Sequence, residues 1–76
     1  MTLKEKMTSE LRAEIMLELK RARNERGISQ KKLKELSGVR QTVIARMERG
    51  CTSPQIDTLL KALASLGKTL YVGDLT

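Results

Sequence analysis

Apolar residues recur at helical spacing in four stretches of the chain and alternate with polar ones in a fifth. From Ser9 to Arg26, Leu11, Ile15, Leu19 and Ala22 lie three or four apart and form one stripe on a helix of about five turns. Glu10, Glu14 and Glu18 sit toward its start and Lys20, Arg21, Arg23 and Arg26 toward its end, each set where the helix dipole favours it. Gly27 stops it. Two starts are open: Thr2 followed by Glu5 has the spacing of a capping box, and Thr8 with Ser9 offers a second beginning. Met16 and Leu17 fall off the stripe, as surface scatter or as a contact with a second copy or a partner.

The stretch Ser29 to Gly50 holds two shorter segments around a turn that contains glycine. Leu33 and Leu36 are three apart in the first, and Val43, Ile44 and Met47 recur at helical spacing in the second. Ser29 is placed to cap the first of these helices, Ile28 to pack on it as a hydrophobic staple, and Gly38 to end it in the left-handed conformation. Val39 begins the turn. Lys31 is spaced to pair with Glu35 on the helix surface. Ser53 and Pro54 have the order of a cap and a first helical residue, and Ile56, Leu59, Leu60, Leu63 and Leu66 make the stripe of a further helix that ends at Gly67.

After Gly67 the period changes: Leu70 and Val72 alternate with Thr69 and Tyr71, which predicts one short strand over about 69–73. A lone strand leaves its backbone groups unpaired, so Thr69, Leu70, Tyr71 and Val72 are expected to pair with the same strand of a second subunit; an extended tail is the alternative. The pattern therefore predicts an all-α domain of four to five helices spanning residues 1–76, with a helix-turn-helix at 29–49.

Composition narrows the chemistry. A chain of 76 residues is near the lower size at which one core suffices, which makes oligomerisation an expected source of stability. The single cysteine, Cys51, cannot form an internal disulfide and no cation pattern marks it as reactive. There is no leading apolar run of signal-peptide type and no stretch of membrane-spanning length, so a reducing, cytoplasmic location is expected. With no His, no Cys pair and no Gly-rich phosphate loop, the usual metal sites and nucleophile constellations are missing. No enzyme activity and no cofactor are expected.

Charge changes the picture most. Between positions 20 and 49, ten cationic side chains face Glu25, Glu35 and Glu48, a local excess of +7 in a chain whose net charge is +6. The remainder carries −1. A solvated basic face is the plain account, but its coincidence with two helices around a tight turn points to the phosphates of nucleic acid. Such a turn presents its second helix to the major groove. With Val39, Ile44 and Met47 inward, that helix has Gln41, Thr42, Ala45 and Arg46 left for base edges: Gln suits adenine, Arg suits guanine, and Thr or Ala can touch a thymine methyl. Gln30, at the start of the preceding helix, can reach a phosphate toward which the free N–H groups of that helix end also point. Lys31, Lys32, Arg40 and Arg49 complete the phosphate side, with Thr52 and Ser53 from the loop that follows.

Leu19, Arg23, Gly27, Ile28, Ser29, Gln30, Leu33, Gly38, Val39, Ile44, Glu48, Gly50 and Pro54, followed by the run IDTLLKALASLG, resemble the Cro/cI-type (XRE) helix-turn-helix family. The resemblance covers roughly Ile15 to Val72. It implies a lambda-repressor-like fold, phosphate contact by Gln30, base contact by Gln41, Thr42, Ala45 and Arg46, and a salt bridge between Arg23 and Glu48 that ties the first helix to the recognition helix. Two positions depart from the family pattern. Lys34 replaces a small residue that packs on the recognition helix, which requires its stem to be buried and its amine to snorkel out. Arg40 replaces a Ser or Thr cap, so the recognition helix starts with a weaker cap.

The ending SPQIDTLLKALASLGKTLYV resembles the HigA-like antitoxins, which as homodimers repress their own operon and bind a toxin that cleaves messenger RNA. The resemblance implies a palindromic operator in double-stranded DNA, a cognate ribonuclease toxin as partner, and a bacterial or phage setting with the protein held at the nucleoid through DNA. Two alternatives stay open: a module whose main task is to neutralise the toxin, with DNA binding secondary, and a plain repressor of a phage or mobile element.

Overall fold

The computed structural model describes residues 2–74 and, within them, four helices: α1 (Leu3–Glu25), α2 (Gln30–Ser37), α3 (Gln41–Glu48) and α4 (Ile56–Ala64). The first of the two possible starts of α1 is used. Thr2 Oγ1 accepts from the Glu5 N–H at 3.1 Å, and the Glu5 carboxylate accepts from the Thr2 N–H at 3.4 Å, a complete capping box. Thr8 lies within the helix and donates its hydroxyl to the Lys4 carbonyl at 2.7 Å.

The core is one cluster fed by all four helices. Met16, Leu19 and Ala22 come from α1, Leu33 from α2, Ile44 and Met47 from α3, and Leu59, Ala62 and Leu63 from α4, joined by Val39 and Leu66. This corrects the predicted stripe of α1. Met16 is only 2% exposed and belongs to the core, while Leu11 is 44% exposed and Ile15 packs at its edge. Leu19 and Ala22 keep the predicted stripe, while nearer the N-terminus the covered face passes through Met16 and leaves Leu11 exposed. Periodicity reports the apolar residues of a helix, but the neighbour's position decides which of them are covered. Leu17, Leu36 and Ile56 are likewise on the outside.

One further expectation is corrected. Helix α4 starts at Ile56, with Gln55 as its cap and no side-chain capping bond, so Ser53 and Pro54 belong to the loop. The Ser53 hydroxyl accepts from Arg12 Nη1 at 2.8 Å, 41 residues away in sequence. Residues 69–73, expected to pair with the same strand of a second subunit, have no strand partner within the single chain, and there is no strand among the described residues. Leu70 packs against the core, and Tyr71 and Val72 lie in solvent. Within one chain no second strand is available to satisfy the backbone groups of this segment.

At Gly67 the chain leaves α4 with φ 71°, and the Lys68 N–H closes on the Leu63 carbonyl at 2.9 Å. A Cβ at Gly67 would stand 2.9 Å from Arg26 Nη2. Only glycine meets both conditions without strain.

Candidate nucleic-acid interface

The helix-turn-helix is built by local bonds. Ser29 Oγ accepts from the Lys32 N–H at 3.0 Å and starts α2. Gly38, with φ 75°, ends α2, its N–H donating to the Lys34 carbonyl at 2.9 Å. Ser37 adds a staple that sequence reasoning did not single out. Its hydroxyl donates to the Leu33 carbonyl at 2.7 Å and accepts from the Val39 N–H at 3.1 Å, so it spans the end of α2 and the start of the turn. Ser37→Ala should therefore cost about 1–2 kcal/mol, as one partly buried N–H loses its acceptor. A melting temperature unchanged in the variant would show that the staple contributes nothing.

Lys34 is exposed and is not among the buried residues where α2 meets α3. Leu33, Ile44 and Met47 fill that contact instead. At Arg40 the side chain makes no capping bond, as the departure from a Ser or Thr cap requires. On the surface of α2 it is Lys32 that comes within 3.9 Å of Glu35, with both partners more than half exposed; Lys31 does not form the pair expected of it.

A polar knot links three elements beneath this surface. Arg23 of α1 holds Glu48 of α3 through two parallel bonds, Nε to Oε2 at 2.6 Å and Nη2 to Oε1 at 2.8 Å. Its Nη1 donates to the Ile28 carbonyl at 2.8 Å, and Gln30 Nε2 of α2 donates to Glu48 Oε1 at 3.2 Å. The side chains are 12% exposed at Arg23 and 3% at Glu48. Burial works against the charged form of Glu48, but the bonds from Arg23 and Gln30 and the positive field of Arg23 and Lys20 outweigh it. The carboxyl is held below its ordinary range. The bonds that Arg23 donates to Glu48 raise Arg23 in turn, so both groups are ionised at neutral pH.

Above the knot, Gln41, Thr42 and Arg46 are exposed on α3 and Ala45 is half-buried, while Ile44 and Met47 face the core. Among the described residues the ion pairs involve Arg21 with Glu18 and Glu25, Arg23 with Glu48, and Lys32 with Glu35. Lys20, Arg26, Lys31, Lys34, Arg40, Arg46 and Arg49 are thus left without a carboxylate, and each is exposed. Thr52 is half-buried and Ser53 exposed in the loop after α3, where Arg12 joins them through its bond to Ser53. Arg12 was not among the residues selected from sequence, and no sequence signal could have found it, because only folding brings α1 to that loop.

Two short helices around a tight turn, the second anchored from below and bare on its polar face, define a helix-turn-helix domain. The chain belongs to the Cro/cI-type (XRE) helix-turn-helix family, a family of DNA-binding regulators rather than enzymes: residues 19–72 match the family described as Helix-turn-helix. It is 56% identical over 64 residues to an uncharacterized HTH-type transcriptional regulator of Haemophilus influenzae, covering 84% of this chain and 65% of that one. It is also similar to a solved chain described as a toxin-antitoxin module from Streptococcus pneumoniae, at 64% identity and a TM-score of 0.80, covering 99% of this chain and 83% of that one.

Proposed function

We propose that this protein is a sequence-specific DNA-binding repressor of its own operon and the antitoxin of a toxin–antitoxin pair. The observation that carries the DNA reading is the bare face of α3, fixed to the core by the Arg23–Glu48 bridge and surrounded by cations that no carboxylate neutralises. In this reading Gln41, Thr42, Ala45 and Arg46 meet base edges, while Gln30, Lys31, Lys32, Arg40, Arg49, Thr52 and Ser53 meet phosphates. Gln30 has one amide proton on Glu48, which leaves the other for a phosphate oxygen and lets the knot orient the contact.

Two copies related by a two-fold axis would meet a palindromic operator with half-sites about one DNA turn, ~34 Å, apart. The antitoxin role draws on the description of the S. pneumoniae neighbour, and the regulatory role on that of the H. influenzae relative. The partner would be a ribonuclease toxin. A cytoplasmic setting at the nucleoid suits these roles, and no described helix is long and apolar enough to cross a membrane.

A fluorescence-anisotropy titration against the protein's own promoter and a scrambled duplex, each at two salt concentrations, tests the DNA reading. The expected result is a preference of at least ~1000-fold for the promoter, with affinity falling steeply as salt rises. Weak and equal binding to both duplexes would reduce the basic surface to non-specific attraction.

A further inference from the structure

The N-terminal half of α1 extends past the core and leaves one flank uncovered. Leu3, Met7 and Leu11 are four apart and share that flank, with Leu3 and Leu11 exposed. Glu10, Glu14 and Glu18 run beside them at the same spacing. Where α1 meets the segment after α4, the flank opens into a groove of about 280 Å³ with Ile15, Leu63 and Leu70 in its wall and Glu14, Glu18 and Lys68 on its rim. The flank is therefore apolar along one line and acidic along the next, in a molecule whose excess positive charge lies wholly between positions 20 and 49.

We infer that this flank of α1 and the adjoining groove are the docking surface for the partner protein, and that the partner presents a cationic amphipathic segment to it. The inference rests on the antitoxin reading above and says where and by what chemistry the toxin binds. Charge complementarity selects this occupant. Glu10 and Glu14 have no cationic partner among the described residues, and Glu18 has only the exposed Arg21 at 3.2 Å. A second copy seated here about a two-fold axis would bring both acidic rows together, which is repulsive, whereas Lys and Arg of a basic protein would meet them and its apolar side chains would cover Leu11, Ile15 and Leu70. A protein that acts on RNA needs such a basic surface, and covering it with carboxylates would also block its access to phosphates. The residues assigned to DNA are on other elements, apart from loop residues Thr52 and Ser53 near Arg12, so both partners can be held at once.

The test is to coexpress the full chain with the product of the adjoining gene and to measure their affinity for the wild type, for Glu14→Lys/Glu18→Lys and for Leu11→Ser. Promoter titration of each variant controls for folding, since these side chains are exposed and lie outside the DNA surface. Both variants are expected to lose at least tenfold in affinity for the gene product, with promoter binding unchanged and with a salt dependence that weakens in the charge-reversed variant. Equal affinity in wild type and variants would overturn the docking surface while leaving the antitoxin reading in place. No association of the wild type with the gene product would overturn both, with the DNA reading still judged by its own titration. Dissociation of a homodimer by the charge reversal, seen by sedimentation, would assign the flank to a second copy and overturn the inference.

Discussion

Replacing Glu48 by Gln is expected to lower the stability of this domain by about 3–5 kcal/mol, because Arg23 would keep its charge in a site that no longer neutralises it. Arg23 is 12% exposed and donates through three nitrogens, two of them to Glu48. A guanidinium is too basic to escape by deprotonation, so the charge stays when its partner is removed. In a chain of this size the change corresponds to roughly 10 °C or more in melting temperature. Glu35→Gln is the matched control: its pair with Lys32 is 3.9 Å long and more than half exposed, so the loss should be within about 0.5 kcal/mol. Comparable melting temperatures for the two variants would remove the bridge from the list of forces that hold α1 to α3.

The same substitution has a signature in pH. The folded-state pKa of Glu48 lies below its ordinary value of 4.5, so the unfolded chain takes up this proton first on acidification. The stability due to Glu48 is therefore complete above that ordinary value and is lost as the pH falls through the lower, folded value. Thermal melts of wild type and Glu48→Gln should differ most near neutrality and converge in acid. A gap that stayed constant with pH would mean that the loss comes from packing rather than from charge.

Arg46→Ala should cost about 1–3 kcal/mol on the correct operator and relax preference at the base pair it reads, with little change on random DNA. Arg46 is exposed on α3 and is in no ion pair among the described residues, so its removal leaves no buried group unpaired and the fold intact. Lys32→Ala should behave differently. Assigned to phosphate, it should weaken all sequences alike and reduce the salt slope by about one. Paired titrations on operator and random duplexes separate the two roles, and identical losses on both duplexes for Arg46→Ala would withdraw it from base reading.

Much of the domain was legible in sequence because the signals that build it are local. The Ser29 cap and the glycine at 38 lie within a turn of the bonds they control, so α2, the turn and α3 follow from neighbours along the chain. The candidate DNA face follows as well, since placing Ile44 and Met47 inward leaves Gln41, Thr42 and Arg46 outside. Met16 shows the limit of that logic. Periodicity set it aside, yet packing in the folded domain buries it.

Sequence by itself determined the helices, the turn, the basic surface and the residue types offered to DNA, because caps, glycines and apolar spacing act over a few residues. Only the tertiary structure decided which face of α1 is covered, that Ser53 serves Arg12 and does not cap α4, and that Leu70 is laid on the core. It also put Arg23, Ile28, Gln30 and Glu48 into one bonded knot, where family resemblance had supplied only the Arg23–Glu48 pair. Each of these depends on groups that packing brings together from distant parts of the chain. The free energy of such contacts is set by distance and burial in the folded state, which spacing along the chain does not encode.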